Sequence, residues 1–538
     1  MKSEEKFMKK RLISLLSVCV LGASCLLATA ACGEKRDYDF SVWVPFKSNA
    51  VGQYDQHIVF QKLEEISGLK VKYVHDSMDN VNNVFARGTY CDVMILNDSM
   101  PNYTGTYPGG VEKGISDGKI IDISDKMEEM APNYYSLVEN DPDVKRDVIT
   151  DDGRLTRFYE VANKESDSWY GYMMREDWLK KIGYTVDGTT TGEVKIPKTY
   201  ADWETVLQGF KDKGLSDTPF FLYSVGVDPF NSISAGFGVT FDFQLDETGK
   251  VNYGPYMDEF EDYLEKMHSW YERGFISPEY AASKEYVPIT DAVGGTNSDG
   301  SYKEAKYGAF TQMYIYMTQY ENTAHALKNE EYSLVAVPNP KINESDEMHI
   351  RQKANRAGNY AVITDKLPED KIDDVMKWFD YLYSEEGSLL MSYGIEGDTY
   401  TLDEDGNPHY TEKVTDNETL SPSDSVKKYS AQGFPCFYDI DREKQVTTEK
   451  EQAAMKTWTE GCDADWVLPV TSLTSEEGKE FGEVMQEIQE EVQDYIFDYI
   501  TGNSPMEFSK FQEELKKMGI EKMIAMKQTS LDRYNARL

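Results

Sequence analysis

The sequence predicts an α/β protein of two lobes, each a β-sheet flanked by helices, with the chain passing between them more than once. Short apolar runs alternate with amphipathic stretches through the first hundred residues, which is the pattern of a parallel sheet with helices on its faces. A long helix-rich stretch follows, and strand-like segments then return before a helical C-terminus. The chain has 538 residues, 40% of them hydrophobic, which suffices for two large cores. The boundaries read as a leader at 1–31, a tether at 32–39, a first lobe at 40–165 and 305–370, and a second lobe at 166–304 and 371–538.

The elements follow in order. Phe40 to Val44 is strand-like, His57 to Ile66 helical, Leu69 to Val74 strand-like and Val81 to Arg87 helical, and Asp92 to Leu96 is a buried apolar run. Ligands of such sheets lie beyond the carboxyl ends of the strands, which makes Trp43 and Asp98 candidates for contact. Helices are expected at Asp177 to Ile182, Tyr200 to Lys213 and Asp258 to Gly274, where Phe260, Leu264, Met267 and Tyr271 keep helical spacing. Strands are expected at Phe220 to Val225, Val239 to Phe243, Tyr332 to Val337 and Tyr360 to Thr364. A helix from Asp370 to Ser384 buries Val375, Trp378, Phe379, Leu382 and Tyr383. A hairpin spans Thr399 to Tyr410 with its turn at Asp405-Gly406, and the last 60 residues are helical with a break at Gly502 to Pro505.

Lys2, Lys6, Lys9, Lys10 and Arg11 precede the uncharged stretch Leu12 to Ala31, the charged and apolar regions of an export signal. The run Ala28-Thr29-Ala30-Ala31 before Cys32 resembles the lipobox of a bacterial lipoprotein signal. That resemblance implies a diacylated Cys32 at the mature N-terminus, anchored outside the cytoplasmic membrane. Thr29 stands where an aliphatic residue is usual, and Cys25 is a rival. Of the other cysteines, Cys91, Cys436 and Cys462 stay with the exported chain, and an odd number leaves at least one thiol free.

The 95 acidic against 56 basic residues, a formal charge of -39, exclude a general nucleic-acid binder. The six histidines show no metal-ligand spacing, and no cofactor motif occurs. Gly114-Ile115-Ser116-Asp117-Gly118 matches the nucleophile-elbow pattern but lacks a preceding strand.

Several blocks, in order, resemble the family 1 extracellular solute-binding proteins of carbohydrate ABC transporters. They include Arg175-Glu176-Asp177-Trp178-Leu179-Lys180-Lys181-Ile182-Gly183, Trp270-Tyr271-Glu272-Arg273-Gly274-Phe275-Ile276-Ser277-Pro278, Asp380-Tyr381-Leu382-Tyr383-Ser384-Glu385-Glu386-Gly387 and Gln528-Thr529-Ser530-Leu531-Asp532-Arg533-Tyr534. The resemblance covers almost the whole exported chain. It implies a type II periplasmic-binding-protein-like fold, a sugar held between lobes that close about a hinge, an ABC permease as partner, a monomeric state and no catalysis. Some members carry a calcium loop, but Lys213 to Pro219 offers too few oxygen ligands for one.

A sugar needs flat surfaces for its C–H faces and fixed polar groups for its hydroxyls. The densest supply is Ser168 to Arg175, read as the crossing into the second lobe. From it come the candidates Trp169, Tyr170, Tyr172 and Arg175, the last a basic spot that would admit a uronate. Met313 to Met317 reads as a strand presenting Tyr314 and Tyr316 on one face. Glu396 on a glycine-flanked loop, Trp466, Phe230 and Asn231 complete the set. A surface glycoside hydrolase, its carboxylate pair invisible in sequence, is one alternative. A binding protein for peptides or another non-sugar solute is the other.

Overall fold

A computed structural model describes residues 36–44, 52–75, 81–97, 105–223, 230, 232–282, 286–353, 355–431, 433–503 and 506–538. Residues 1–35, which hold the expected leader and Cys32, lie outside the described residues, as do Asp98 and Asn231. Among the described residues, no helix is long and apolar enough to cross a membrane.

The strands that organise the molecule are β1 (Phe40–Trp43), β2 (Val71–Val74), β3 (Val93–Leu96), β4 (Phe158–Ala162), β5 (Tyr170–Arg175), β6 (Ala309–Met313), β7 (Leu334–Val337), β8 (Ala357–Ile363) and β9 (Phe437–Tyr438). The helices used below are α1 (Ile58–Ser67), α2 (Val81–Arg87), α3 (Pro142–Val148), α4 (Tyr200–Asp212), α5 (Glu259–Glu272), α6 (Ile315–Ala326), α7 (Ile372–Tyr381), α8 (Glu449–Thr459), α9 (Ser475–Thr501), α10 (Phe508–Met518) and α11 (Ile520–Asn535).

The first lobe is built on a six-stranded sheet in the order β9-β4-β8-β3-β1-β2. Strand β1 lies parallel to β2 and β3, β8 runs antiparallel between β3 and β4, and β9 closes the edge parallel to β4. Strands β1 and β3 are buried along their whole length, as strands covered on both faces must be. Helix α7 covers one face: Trp378 meets Phe40 edge-on at 5.5 Å, and Phe379 stacks on Phe158 at 5.1 Å.

The second lobe is built on the three-stranded sheet β6-β5-β7, all antiparallel. Its core joins Trp203 of α4, Trp270 of α5 and Phe220, with the two indoles stacked at 6.2 Å. Helix α9 starts at a reciprocal cap between Thr474 and Glu477 and buries Met485, Ile488, Val492 and Ile496 at helical spacing. Helix α11 reaches back to the first lobe. There Tyr534 Oη donates to Asp147 at 2.5 Å, and Arg533 and Arg537 both pair with Asp151, at 2.9 and 2.8 Å.

Strand pairing divides the chain differently from the expected boundaries. Strands β6 and β7, expected in the first lobe, are the two edges of the second sheet, because β5 has both edges to satisfy. Helix α7, expected in the second lobe, belongs to the first through its Trp378 and Phe379 stripe. Three segments therefore cross between lobes: 163–169 after β4, 338–356 before β8, and 439–448 after β9. Local expectations differ as well: the strand expected over Val239 to Phe243 runs instead over Phe243–Leu245. Phe220 makes only isolated bridges, to Ile276 and Ala309, and the alternating Met313 to Met317 run is the end of β6 followed by the first turn of α6.

Candidate functional site

The first crossing leaves β4 at Ala162 and enters β5 at Tyr170, and its backbone is held from both sides. Trp169 N donates to Gln352 Oε1 at 2.9 Å, and Trp169 O accepts from Tyr314 N at 3.1 Å. The segment thus ties the second crossing to the start of α6, and these two bonds fix the backbone that carries the Trp169 ring. The ring meets Phe230 edge-on at 4.9 Å, and Phe230 lies 4.5 Å from Tyr170. Tyr170 Oη donates to Tyr223 Oη at 3.0 Å, and Tyr286, 39% exposed, completes the aromatic wall.

Beside Trp169 a cavity of about 400 Å³ opens between the lobes. The first crossing contributes Lys164, Glu165, Ser166 and Asp167. The third contributes Ile440, Glu443, Lys444 and Thr447, while Tyr438 comes from the end of β9, Tyr314 from the start of α6 and Met455 from α8. Tyr314 Oη donates to Glu443 at 3.1 Å, and burial followed by that carboxylate pushes its phenol well above the ordinary tyrosine range. Lys444 lies between Asp167 at 3.4 Å and Asp441 at 3.3 Å, and Lys164 also pairs with Asp441. Burial opposes the Lys444 charge, but Asp167 and Asp441 outweigh it and hold the ammonium above its usual pKa. The buried Ser166 hydroxyl has no hydrogen-bond partner within the protein, so a ligand atom in the cavity would complete it.

At the same end of the first sheet a polar row closes β3, β8 and β4. Asn97 Nδ2 donates to Asn359 Oδ1 at 2.7 Å, Asn359 Nδ2 to Glu160 at 3.2 Å, and Gly433 N to Glu160 at 3.0 Å. Burial pushes the Glu160 carboxyl up to about 7, against the opposing pull of Arg442 and these N–H donors.

The structure brings Trp169, Tyr170, Phe230 and Tyr314 into one region, although Tyr314 stands at a helix start and not on a strand. Other candidates stand elsewhere. Arg175 is fully buried in the second lobe: its guanidinium makes paired bonds of 2.7 and 2.8 Å to Asp177, a third of 3.1 Å to Glu304, and lies between the Trp178 and Tyr332 rings. Tyr172 packs on Trp203 and Phe220 in that core, and Trp43 is 5% exposed in the core of the first lobe. Trp466 stacks on His349 at 4.7 Å, and Glu396 is exposed beside the hairpin at Tyr400, where Glu396 makes an isolated bridge to Tyr400. Arg175, Tyr172 and Trp43 are turned into the lobe cores and Glu396 lies out at the hairpin, while Trp466 packs on His349 of the second crossing without lining the cavity.

Asp167, Tyr438, Glu443 and Lys444 were not among the sequence candidates. Ile440 to Lys444 reads as a solvated charge run, and the one signal near it is the short apolar Phe437-Tyr438 after Pro435. Cys91, Cys436 and Cys462 are free thiols. Among the described residues, no group of three or more His, Cys, Asp or Glu side chains is placed to hold a metal ion.

Two sheets joined by repeated crossings, with an aromatic-walled cavity between them, make up a two-lobed molecule of the periplasmic-binding-protein-like fold. No family model matches the chain. It is 22% identical over 566 residues, spanning 96% of this chain and 98% of the relative, to the fructooligosaccharide ABC transporter substrate-binding protein FusA of Streptococcus pneumoniae. The structure of FusA in complex with kestose superposes with a TM-score of 0.67 at 20% identity, covering 93% of this chain and 100% of that one. An HMO-binding solute-binding protein from Bifidobacterium longum infantis gives 0.70 at 16% identity, covering 92% and 98%. The alginate-binding protein AlgQ2 gives 0.66 at 20% identity, covering 92% and 99%. The chain has the fold of the ABC-transporter substrate-binding proteins.

Proposed function

We propose that this protein captures an oligosaccharide between its lobes and delivers it to the permease of an ABC importer on the outer side of the cytoplasmic membrane. It acts as a monomer anchored through a lipid on Cys32. The observation that carries the reading is the cavity at the crossings. Trp169, Tyr314 and Tyr438 supply flat apolar faces, while Asp167, Glu443, Lys444 and Ser166 supply acceptors and donors for hydroxyl groups. A volume of about 400 Å³ falls within the usual range of small-ligand sites, about 300–1,000 Å³. The full-length likeness to FusA, which is named for fructooligosaccharides, supports the same reading. Because the cavity walls come from both lobes and the crossings, a bound sugar contacts both and favours the closed arrangement.

The test is a thermal-shift screen of the purified protein against mono- and oligosaccharides, with peptides as controls. A sugar present at about 100 times its dissociation constant adds roughly 2.7 kcal/mol and raises the melting temperature. A shift with peptides and none with any sugar would sink the carbohydrate assignment. Slow release of shorter sugars from a bound glycan would point to a hydrolase instead.

A further inference from the structure

We infer that the cavity selects neutral glycans and rejects uronate-containing ones, with Asp167 and Glu443 as the residues that discriminate. This rests on the oligosaccharide reading and names the class of sugar within it. The cavity lining carries the carboxylates Glu165, Asp167 and Glu443 against the ammonium groups of Lys164 and Lys444. Both cations are already committed, Lys164 to Asp441 and Lys444 to Asp167 and Asp441. Lys353, behind them on the second crossing, pairs with Glu165 at 3.4 Å. Tyr314 has spent its proton on Glu443, so it has none to offer a ligand carboxylate.

The other cations near the crossings are engaged as well. Arg356 pairs with Asp141 at 2.7 Å, Arg351 donates to the carbonyls of Cys462 and Gln352, and Arg442 is buried against the carbonyls of Met391 and Ala431. Arg175, the cation that the sequence offered to a uronate, is sealed in the second lobe with Asp177. Among the described residues, every lysine that lines the cavity has a carboxylate partner. A uronate would therefore give up its hydration to meet net negative charge, whereas neutral hydroxyls donate to Asp167 and Glu443 and leave the ion pairs intact. The overall charge of -39 acts in the same sense on approach.

The experiment is calorimetric titration of the whole protein with two probe sets. The neutral set is kestose, nystose, cellotetraose and lacto-N-tetraose; the acidic set is tetragalacturonate and tetramannuronate. The expected result is a preference of about 100-fold or more for the best neutral sugar over either uronate. Glu443→Gln and Asp167→Asn, each checked for folding by circular dichroism, should each narrow that preference about tenfold by removing the repulsion. A uronate that binds as tightly as the best neutral sugar overturns the inference and leaves the oligosaccharide reading standing. A preference that neither variant narrows overturns the assignment to Asp167 and Glu443. Binding of neither set overturns the oligosaccharide reading and this inference with it.

Discussion

Two side chains of one short segment, Trp169 and Arg175, show how position outweighs residue type. Trp169 sits where the crossing meets the sheet and faces the cavity; Arg175 ends β5 in the interior, matched by Asp177 in paired bonds. Removing one member of such a buried pair strands the other charge, so Arg175 is read as structural. Glu160 is the residue whose protonation bears on stability. Its folded pKa, about 7, lies above the ordinary glutamate value of 4.5, so the folded state holds the proton more tightly than the unfolded state. The stability it lends is full below about pH 4.5 and is lost as pH rises through 7. Glu160→Gln should remove that dependence, making the protein more stable than the wild type by roughly 1–3 kcal/mol at pH 8 and leaving the two alike near pH 4.5. Urea midpoints across pH 4.5–8 check this, and parallel curves for the two proteins would refute it.

At the scale of elements, β5 and α8 depend on a missing side chain. A Cβ at Gly171 would lie 2.5 Å from the Trp458 ring, so the glycine lets α8 lie directly on the strand. Trp458 Nε1 then donates to Tyr172 O at 3.0 Å. Gly171→Ala should push α8 off β5 and cost about 1–3 kcal/mol by overpacking. Because α8 carries Met455 into the cavity, sugar affinity should fall as well. Unchanged stability and affinity together would show that the helix shifts freely. The same scale explains the misread Met313 to Met317 run. Its alternation suits a strand, but Met317, Tyr320 and Ala324 continue it at helical spacing and are the buried residues of α6. A short apolar run carries both periods, and its neighbours decide between them.

At the scale of the molecule, crossings and the C-terminal clasp join the lobes. Arg533 of α11 and Arg537 just past its end meet Asp151, and Tyr534 meets Asp147, at the end of α3 and just beyond. The Arg537 side chain is only 3% exposed, so its charge relies on that carboxylate. In the proposed function, closure on a sugar would turn about the crossings and this clasp together. Small-angle scattering should show a smaller radius of gyration with saturating sugar than without, and Asp151→Asn should enlarge the radius of the sugar-free protein. Equal radii in all three samples would mean that the lobes do not move.

What the chain determines by itself is local. Periodicity located β1 to β3, α1, α2, α4, α5, α7 and the C-terminal helices within a few residues, because burial of one face imposes its spacing on the sequence. The aromatic density at Trp169 and Tyr170 likewise pointed to the crossing. Tertiary structure decided the rest. Which lobe claims β6, β7 and α7 depends on which open edge or apolar face is free to receive them, and that partner lies more than a hundred residues away for β6, β7 and α7 alike. The cavity depends on the same long-range choices. Asp167 and Glu443 are ordinary surface carboxylates in sequence; they come to line one cavity because two crossings, distant along the chain, are folded side by side.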